Sequence, residues 1–425
     1  MKILVIGSGG REHAIIRKLY HDAAAHGTND ALQLFAAPGN PGMEPAAKLV
    51  ALRVDDIAAL LDFAVKESID LTIVGPEVPL AMGIVDRFSK RGLRIFGPTA
   101  DAARLESSKS FAKGFMTQAG IPTPAYREFT DADEALGYVD SLVPPIVIKA
   151  DGLAAGKGVT VAQSKEEARE AVLAAMQDHA FGAAGERIVI EQFVTGSELS
   201  VMAFVDQNGF AMMPAIQDHK QVHDHDEGQN TGGMGTFFPV PAATASVMQK
   251  VHDEIFFRVM AELRRQGIVY RGVLFAGIIV QDGQPYVIEF NARFGDPETQ
   301  IALELLQTAL LPIMEAVLDD RVGELSLAWS KDAAVCVVLT SGGYPGAYQK
   351  GYRIAGLDRL APPAYVLHAG TARDLQGHIV TDGGRVLGVI GHGKSLTEAR
   401  QIAYEAVQQI QFQDKHFRTD IGARK

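Results

Sequence analysis

Short apolar runs alternate with helical stretches over residues 1–104. Each run ends in glycine, proline or polar residues, which is typical of strands that leave a sheet at one edge. The four predicted strands lie in KILVIG, LQLFAAPGN, LTIVGPE and LRIFGPT. Strands alternating with helices predict parallel βαβ units, and ligands bind such sheets at the carboxyl edge. We therefore expect four polar loops to converge at that edge.

The pattern changes beyond residue 104. One helix is predicted over residues 101–118, followed by a stiff link that contains Pro122 and Pro124. The strand PPIVIKAD, the glycine-rich stretch DGLAAGKGV, a second strand and the charged helix KEEAREAVLAAM come next. This order predicts a small, separately moving α+β lobe over residues 121–187.

The strand IVIEQFVTG returns the chain to a larger unit. We predict a polar loop at 218–235, a long helix near 244–266, and a hairpin in GVLFAGIIVQDGQPYVIEFN that turns at Asp282 and Gly283. A helix at 298–318 follows, then glycine-punctuated strands and a final helix at 395–411.

The resulting fold class is mixed α/β and α+β in several domains. The predicted division is a parallel-sheet amino-terminal domain, a core, a lid inserted in the core, and a small β-rich carboxyl-terminal domain. The amino-terminal domain is predicted over residues 1–104 and the core over 105–120 together with 188–330. The lid is predicted over 121–187 and the carboxyl-terminal domain over 331–425.

Composition narrows the class of protein. A chain of 425 residues is long enough for roughly three or four domains, and an apolar share of 47% supports packed cores. The net charge of −11 argues against nucleic acid, because a phosphate-backbone partner needs a basic face. Nucleic-acid binding is therefore not expected.

Cysteine usage and the apolar segments indicate the compartment. The single cysteine, Cys336, excludes an internal disulfide framework, and its place in AVCVVL is typical of a buried small hydrophobe rather than a catalytic thiol. The apolar run in MKILVIG is short for a secretory signal, and no run of about 18 apolar residues is present. We expect a soluble, cytoplasmic monomer that makes no membrane contact.

The stretch EFNARFGDPETQ, residues 289–300, carries the strongest chemical signal. Side chains two apart on a strand share a face, so Glu289 and Asn291 can hold one small cation. Arg293 follows at the end of the strand, where its charge can meet an anion. The three residues together predict a site for a metal-bound phosphate.

Residues 7–12 follow a strand and open a helix, an arrangement whose N–H groups and helix dipole favour an anion. A dinucleotide fingerprint would need a third glycine where Glu12 stands and an acid where Ala37, Pro38 and Gly39 stand. A nicotinamide cofactor is therefore disfavoured. We interpret the loop as a phosphate site with Arg11 as counter-charge, and a purely structural turn is the alternative.

The stretch DGLAAGKG, residues 151–158, is not a Walker A loop, because neither Ser nor Thr follows Lys157. It joins two predicted strands, so it can close over phosphates as a flap, or be a flexible hairpin without a role. Lys149 ends an apolar strand, where a buried ammonium needs an anion. Lys109 alone would be a solvated helix residue. Together with the flap and the Glu-x-Asn pair, both lysines indicate phosphate binding.

Glu191 and Glu198 flank the segment that leaves the small lobe. Adenine sites in clefts between lobes use the backbone of such a hinge, and an acid accepts the ribose hydroxyls. A plain surface loop between strands is the alternative.

The stretch DHKQVHDHDE, residues 218–227, is rich in potential metal ligands. It runs into GQNTGGMG, which is typical of mobile surface segments, and neither a helix nor a cysteine supports its imidazoles. A zinc or iron site is therefore disfavoured. Asp218 and Lys220, nearest the preceding strand, are interpreted as a charge pair for an amino acid.

Taken together, these segments resemble the ATP-grasp enzymes and, more closely, the phosphoribosylamine–glycine ligase family. The matching segments, in chain order over essentially the full length, are SGGREHA, APGN, VGPEVPL, SSKSFAK, KADGLAAGKGV, QDHK, NTGGMG and RFGDPETQ. The resemblance implies a pre-ATP-grasp domain, an ATP-grasp core with an inserted lid, and a carboxyl-terminal domain. It also implies that ATP, glycine and 5-phosphoribosylamine give glycinamide ribonucleotide, ADP and phosphate, with Mg²⁺ or Mn²⁺ as cofactor, in purine biosynthesis.

The family's roles carry over to the positions that match its motifs. The metal ligands would be Glu289 and Asn291. The contacts to ATP phosphates, with the lid loop, would be Lys109, Lys149, Gly152, Gly156, Lys157 and Gly158. Adenine and ribose would be held by Glu191, Val194 and Glu198. Phosphoribosylamine would be received by Gly9, Gly10, Arg11, Glu12, Asn40, Gly75, Pro76 and Glu77. Glycine or the transferring phosphate would lie near Asp218, Lys220 and Arg293, which with Lys149 form the catalytic set.

The sequence departs from the family's pattern at two positions. Gln221 stands where the family commonly has arginine, and Gln229 replaces a usual proline. In addition, GVLFAGIIV carries no acid where many ATP-grasp relatives have one, a feature that the closer family shares.

Three alternatives stay open on sequence alone. One is an ATP-grasp ligase for another carboxylate or amine, which product analysis with glycine, formate or bicarbonate distinguishes. The second is a non-catalytic nucleotide-binding regulator, and the third is an NAD-dependent oxidoreductase.

Overall fold

The computed structural model describes residues 1–28, 31–153, 158–178 and 180–423, apart from the side chain of residue 183. The amino-terminal unit is a five-stranded sheet in which neighbouring strands run parallel. Across the sheet the strands are Ala47–Leu49, Gln33–Pro38, Lys2–Gly7, Leu71–Val74 and Ile95–Phe96. Its helices are Gly10–Ala25, Ile57–Glu67, Glu77–Ala81 and Ile84–Lys90. The parallel sheet confirms the prediction.

The central strand Lys2–Gly7 shows why the pattern predicted this sheet. Ile3 and Val5 pack into one buried cluster and Leu4 and Ile6 into another, on the opposite face. A strand covered on both faces reads as a continuous apolar run. The fifth strand, Ala47–Leu49, was not predicted, because three residues are too few to show such a run.

The helix predicted over residues 101–118 is two helices, Arg104–Ser107 and Lys109–Ala119. The chain is extended at Ser108, whose hydroxyl accepts the N–H of Phe111 at 3.1 Å. A serine that caps a new helix competes with continuation of the previous one. The prediction of one helix was wrong for this reason.

The small unit contains a four-stranded antiparallel sheet with its own core. Its strands, in sheet order, are Tyr126–Phe129, Ile188–Gln192, Ile146–Ala150 and Val159–Ala162, and its helices are Ala132–Ser141 and Lys165–Met176. Ile188 and Ile190 pack in this core. We had placed Ile188–Gln192 in the larger unit. Because it lies inside the small sheet, the small unit extends to residue 192 rather than 187.

The central unit contains a second four-stranded antiparallel sheet. Its strands, in sheet order, are Phe210–Met212, Ser197–Val205, Gly272–Gln281 and Gln284–Asn291. The predicted hairpin is confirmed, with Asp282 and Gly283 both at positive φ in the turn.

The helices of the central unit differ from prediction in detail. The long helix is continuous as Ala245–Lys250, a π-helical Val251–Phe256 and Phe257–Gln266. The predicted helix at 298–318 is two, Glu298–Leu305 and Leu310–Leu318. Between them, Leu306 forms a β-bridge with Trp329, which requires extended backbone and ends the first helix.

The carboxyl-terminal sheet is antiparallel, and two of its strands, Gln217–Asp218 and Gly235–Phe238, come from the central part of the sequence. Its strands, in order, are Gln217–Asp218, Gly235–Phe238, Ala333–Thr340, Arg385–Gly393 and Tyr365–His368. Two strand pairs lie outside it, Gln221–His223 with Glu227–Asn230 and Thr371–Arg373 with Ile379–Thr381. The final helix is Leu396–Gln409. The segment predicted as a loop at 218–235 is therefore largely paired, and both Gln221 and Gln229 lie in its hairpin.

Two single findings complete the fold. Cys336 is fully buried, as predicted for a small hydrophobe, and burial raises the pKa of its thiol. None of the helices in the described ranges combines the length and apolar character needed to cross a membrane.

The contact between Gly391 and the final helix allows a test of this packing. A Cβ at Gly391 would lie 2.2 Å from the carbonyl oxygen of Ala399, which is backbone and cannot move aside cheaply. We expect Gly391→Ala to lower the free energy of unfolding by about 1 to 3 kcal/mol, as overpacking does. The measurement is the thermal unfolding midpoint.

The matched control is Gly137→Ala, at an exposed position of the helix Ala132–Ser141, where a Cβ meets nothing within 4 Å. Alanine in a helix should leave stability unchanged or raise it by about 0.5 to 1 kcal/mol. Equal effects of the two substitutions would contradict the packing described for Gly391.

Candidate active site

The pairing of the central strands places the predicted metal ligands on one face. Glu289 lies opposite Gly277, which lies opposite Ser200, and Asn291 lies opposite Phe275 in the next row of the same face. A Cβ at Gly277 would be 3.2 Å from Cγ of Glu289. The missing side chain thus leaves room for Glu289 across the neighbouring strand.

The carboxylate of Glu289 lies among cations from distant parts of the chain. Burial acts to raise its pKa, but Lys220, Lys149, Lys109 and Arg293 outweigh burial and lower the pKa to about 2. The side chain is still 36% exposed, and Nζ of Lys220 lies 3.6 Å from Oε1. Glu289 is therefore an anionic ligand at neutral pH with a face left open.

The donor set fits a cation that is shared with phosphates. Mg²⁺ takes oxygen ligands in an octahedron and is commonly held by one or two protein groups plus waters and phosphate oxygens. Glu289 and Asn291 supply two oxygen-bearing groups on one face. Over the described ranges, no three His, Cys, Asp or Glu side chains gather as a metal cage. The pair suits a metal–nucleotide complex better than an enclosed protein site.

Arg293 links the metal face to the amino-terminal unit. Its guanidinium donates to Oδ1 of Asn291 at 3.3 Å and pairs with Glu106 at 2.9 Å and Glu77 at 3.5 Å. Burial opposes its charge, but Glu106 and Glu77 raise its pKa. Glu106, which the sequence analysis missed, also accepts the N–H of Ala292 at 2.8 Å. Arg293 is therefore a fixed cation at the end of the ligand strand.

Glu191, predicted with Val194 and Glu198 to hold adenine and ribose, has a buried side chain that pairs with two lysines. The side chain is 2% exposed and pairs with Nζ of Lys149 at 2.8 Å and with Nζ of Lys113 at 3.0 Å. Lys149 also donates to the carbonyl of Ile288 at 3.0 Å, beside the ligand Glu289. The carboxylate is thus committed to two lysines, and its role is to position Lys149.

Lys113 is the second buried lysine that pairs with Glu191. Burial lowers the pKa of Lys113 to about 8, although Glu191 acts to raise it. Lys113 further donates to Thr123, whose hydroxyl donates to the carbonyl of Val287. The predicted anion for Lys149 is therefore partly supplied by the protein itself, through Glu191.

The start of the glycine-rich loop is tied to the helix that begins at Lys109. Asp151 accepts from the backbone N–H and hydroxyl of Ser110 at 3.2 and 2.7 Å, and Lys109 donates to the carbonyl of Gly152 at 3.2 Å. This contact brings Lys109 next to the loop. The predictions for Gly156 and Lys157 fall on residues 154–157, outside the described residues. Gly158 precedes the strand Val159–Ala162.

The hinge after the small unit brings Val194 and Glu198 to the central sheet. Val194 lies between the strands Ile188–Gln192 and Ser197–Val205, and Glu198 is the second residue of the latter. Glu198 is half-buried and its charge acts on both Lys220 and Asp218. Its carboxylate therefore faces the same cleft as Glu289.

Lys220 lies beside Glu289, and the charges of Asp218 and Lys220 act on each other. Burial, followed by the charge of Glu298, raises the pKa of Asp218. Burial opposes the charge of Lys220, but Glu289, Glu198, Asp218 and Glu298 raise its pKa. The loop is held by the paired strands Gln217–Asp218 and Gly235–Phe238.

In the amino-terminal loop, residues 7–12, the side chain of Glu12 is buried and accepts hydrogen bonds from the loop itself. Glu12 is 1% exposed and accepts from the N–H of Gly9 and from Arg11, each at 2.6 Å. A Cβ at Gly75 would lie 1.9 Å from this carboxylate, so the glycine is required there. Arg11 also donates to the carbonyl of Phe294 at 3.1 Å. Arg11 thus has protein partners on both sides of its guanidinium, and its part as a phosphate counter-charge stays a prediction.

Asn40 and the other loops of this edge meet the rest of the molecule. Asn40 is 2% exposed and donates to the carbonyls of Ser8 and His368, both at 2.8 Å. Glu77 follows Pro76 as the first residue of its helix and pairs with Arg293. The predicted convergence of loops at the carboxyl edge is present, next to the end of the ligand strand.

Sequence reasoning missed several residues that line the same region. They are Glu106, Ser200, Asp296, Glu298 and Gln300. Remote segments bind the first four, whereas Gln300 donates to Asp296 in its own segment. Asp296, Glu298 and Gln300 were inside the singled-out stretch, so an acidic, amide-bearing helix start was an available signal. Nothing local marks Glu106 or Ser200.

Three family profiles match the chain in succession. They are described as the N domain of phosphoribosylglycinamide synthetase over residues 1–106, its ATP-grasp (A) domain over 107–299 and its C domain over 334–424. Together the three profiles span nearly the whole chain.

A curated relative and two solved structures agree with the profiles. The chain is 44% identical over 423 residues to the phosphoribosylamine–glycine ligase of Caldanaerobacter subterraneus subsp. tengcongensis, covering 100% of both chains. The crystal structure of phosphoribosylamine–glycine ligase from Thermotoga maritima matches with a TM-score of 0.84 and 33% identity, covering 99% of this chain and 100% of that one. The biotin carboxylase domain of Hydrogenobacter thermophilus 2-oxoglutarate carboxylase, in complex with MgADP, ADP and bicarbonate, matches with a TM-score of 0.73 at 15% identity, over 97% and 91%. The last likeness shows the fold alone.

The buried position of Glu191 leads to a test that separates the structural from the ribose role. Glu191→Ala leaves two buried ammonium groups without their counter-charge. Breaking a buried pair in this way costs about 3 to 5 kcal/mol, so the thermal midpoint should fall even without nucleotide.

The comparison variant is Glu198→Ala, whose side chain is half-buried at the start of a strand. It should change stability little. If Glu191→Ala unfolded at the wild-type temperature and only weakened nucleotide binding, the side chain would act as a nucleotide contact and not as a stabilising counter-charge.

Proposed function

Because the chain belongs to the phosphoribosylglycinamide synthetase family, we propose that it is an ATP-dependent carbon–nitrogen ligase that joins glycine to 5-phosphoribosylamine. The products are glycinamide ribonucleotide, ADP and phosphate, in the second step of de novo purine biosynthesis. The observation that carries the proposal is the cluster of Lys109, Lys149, Lys220 and Arg293 around the carboxylate of Glu289.

The first chemical step activates glycine. A carboxylate is a poor electrophile, so an amine cannot displace its oxygen at a useful rate. A carboxylate oxygen of glycine attacks the γ-phosphorus of ATP, the bond from that phosphorus to the β–γ bridging oxygen breaks, and ADP leaves. The product is glycyl phosphate, in which phosphate is a good leaving group.

The residues of the cluster supply what this step requires. Phosphoryl transfer depends on positioning and on neutralising charge rather than on covalent help from the protein. Lys149, held by Glu191, and Lys109, beside the glycine-rich loop, neutralise phosphate oxygens, while Arg293 presents a fixed cation at the end of the strand. A bound divalent cation on Glu289 and Asn291 would supply further charge neutralisation at the phosphates.

The second step forms the amide. The amino nitrogen of phosphoribosylamine attacks the carbonyl carbon of glycyl phosphate, phosphate departs with the bonding electrons of the acyl C–O bond, and the nitrogen loses a proton. Acyl phosphate and aminosugar both decompose in water, so closure of the small unit over the cleft has a clear purpose.

Substrate placement follows the arrangement of the loops. Adenine and ribose lie against the hinge at Val194 and Glu198, and the phosphates lie near Gly152 and Gly158, the described residues of the glycine-rich stretch. Phosphoribosylamine lies at the carboxyl edge of the amino-terminal sheet, formed by residues 9–12, Asn40 and residues 75–77. Support for this comes from Glu77, which pairs with Arg293 and so joins that edge to the phosphate cluster.

The remaining proposals concern the metal, the assembly and the compartment. ATP-grasp enzymes use ATP with a divalent metal, and we propose either Mg²⁺ or Mn²⁺, because oxygen-only donors suit both. We propose a cytoplasmic monomer, with the single buried Cys336 in keeping with a reducing compartment. We propose domain bounds of 1–104, 105–120 with 193–330, 121–192 and 331–425, and the place of Ile188–Gln192 in the small sheet supports the change at residue 192.

The direct test is a coupled assay of ADP release with freshly generated phosphoribosylamine. ADP should form only when glycine and phosphoribosylamine are both present, and formate or bicarbonate should not replace glycine. ADP release that ignored either substrate would exclude the ligase.

The metal assignment predicts the effect of Glu289→Ala. The change removes an anionic ligand and little core volume, so the protein should fold. Turnover should fall by at least about 100-fold, the loss typical when one preorganised electrostatic contact is removed. Activity is measured at saturating ATP over a range of Mg²⁺ and Mn²⁺ concentrations.

The control is Glu315→Ala, which removes a carboxylate from the helix Leu310–Leu318, away from the cleft. It should keep wild-type turnover. Near-normal turnover of Glu289→Ala would show that the metal is held elsewhere.

A further inference from the structure

Three buried charged side chains form a group beside the cations around Glu289. Oε1 of Glu191 lies 2.8 Å from Nζ of Lys149, and Oε2 lies 3.0 Å from Nζ of Lys113. The side chains of all three residues are between 2 and 4% exposed. Each carboxylate oxygen therefore meets its own ammonium group, and the trio holds two positive charges and one negative charge.

Lys113 is fixed in place and does not reach the cleft. Its Nζ donates to the hydroxyl of Thr123 at 2.7 Å, and that hydroxyl donates to the carbonyl of Val287 at 2.8 Å. The ring of Tyr126 lies 5.5 Å from the same Nζ, within the range of a cation–π contact. With 2% of its side chain exposed, Lys113 can act on a ligand only through other groups.

The second lysine of the trio faces the metal strand. Nζ of Lys149 donates to the carbonyl of Ile288, next to Glu289, at 3.0 Å. One lysine paired with one carboxylate is neutral as a unit, and such a pair attracts a phosphate only weakly. With Lys149 alone, Glu191 would cancel most of the charge that Lys149 offers. With Lys113 present, the trio keeps one net positive charge, whose effect is strong in a buried setting.

Resting on the proposed function, in which Lys149 contacts ATP phosphates, we propose that Lys113 is a positioning residue for the nucleotide. Lys113 supplies the counter-charge of Glu191, so that the charge of Lys149 stays available to phosphate. The affinity for the nucleotide therefore depends on the protonation of a lysine that the nucleotide does not touch.

The protonation of Lys113 changes close to neutral pH. Burial lowers the pKa of Lys113 to about 8, Glu191 acts to raise it and Lys149 acts to lower it. The ammonium group is thus charged below about pH 8 and loses its charge as the pH rises through that value. Since bound phosphates favour the charged form, nucleotide binding takes up protons near this pH.

Other charged groups near the helix of Lys113 have partners of their own. The elements Arg104–Ser107, Phe257–Gln266 and Gln284–Asn291 pack against this helix. Their charged side chains pair or donate as follows: Arg104 to Asp101, Glu106 to Arg293, Glu262 to Arg265, Glu289 to Lys220, and Arg258 and Arg264 to backbone carbonyls. Glu191 and Lys149 are the charged groups that act on Lys113.

A purely structural ion pair is the competing explanation. In that case Lys113 would only hold the helix Lys109–Ala119 against the small sheet. Its removal would then lower stability and leave the affinity for the nucleotide unchanged.

The test is isothermal titration calorimetry of MgADP binding to the wild type and to Lys113→Met. Methionine is similar in length and uncharged, and Glu191 keeps Lys149, so the substitution leaves no charge of the trio unpaired. Loss of one unit of positive charge should weaken MgADP binding about 10-fold near pH 7. Wild-type affinity should itself fall about 5-fold between about pH 7 and about pH 9, whereas that of Lys113→Met should not follow this decline.

The matched control is Lys66→Met, at an exposed position in the last turn of the helix Ile57–Glu67. It should keep the wild-type affinity and the wild-type pH dependence. If Lys113→Met had a lower thermal midpoint but bound MgADP with the affinity and pH dependence of the wild type, the structural explanation would hold and the proposal would be overturned.

The wild type alone decides if Lys113→Met does not fold. Titrations in two buffers with different heats of ionisation give the number of protons taken up on binding. That number should be as much as about half a proton per site near pH 8 and about a tenth near pH 7. Binding without proton uptake near pH 8 would refute the role of Lys113.

Failure of the proposed function has a separate signature. A wild type that binds MgADP but releases no ADP with glycine and phosphoribosylamine would refute the ligase, while calorimetry would still decide the role of Lys113. A wild type that does not bind MgADP would overturn both proposals.

Discussion

The structure depends on one partly exposed carboxylate held among four cations. Lys109, Lys149, Lys220 and Arg293 come from different segments, and together they lower the pKa of Glu289 against the effect of burial. Like charges this close repel one another unless anions lie between them. The cluster is therefore stable only with an anion at its centre. The phosphates of a nucleotide would add negative charge, and a divalent cation bound to them would offset part of it.

Two of the cations are fixed by buried carboxylates, whereas Lys220 lies on a loop and can change position. Lys149 shares the buried Glu191 with Lys113, and Arg293 is bound by Glu106 and Glu77, so neither cation can move far without breaking a buried pair. Lys220 lies on a loop and keeps 31% of its side chain exposed. With Lys149 and Arg293 fixed and Lys220 on a loop, such a site can hold phosphates in place while the small acid enters and the product leaves.

Sequence patterns predicted the parts of this arrangement that depend on local periodicity. The parallel sheet, the hairpin at Asp282 and Gly283 and the shared face of Glu289 and Asn291 all follow from strand geometry within one segment. The partners of Glu191, the place of Ile188–Gln192 in the small sheet and the nearness of Glu298 to Asp218 were not accessible, because each depends on which distant strands pair. Ala47–Leu49 was missed since its three residues show no periodicity. The contact of Arg11 with Glu12 was not predicted, because sequence patterns do not show that the Glu12 side chain turns back toward its neighbour.

The carboxyl-terminal region positions residues of the site, although it lies far from them in the sequence. Asp218 belongs to a strand of the carboxyl-terminal sheet, so the position of the acid is set by that sheet rather than by the loop around it. Arg385 reinforces this by donating to the carbonyls of Gly232 and Asp296, which ties the loop to the start of the helix that carries Glu298. Arg418, fully buried, donates to the carbonyl of Gln221 on the hairpin beyond Lys220. The position of Asp218 is thus set from the carboxyl-terminal side, whereas Lys149 lies on the small unit and Lys109 and Glu289 lie on the central unit.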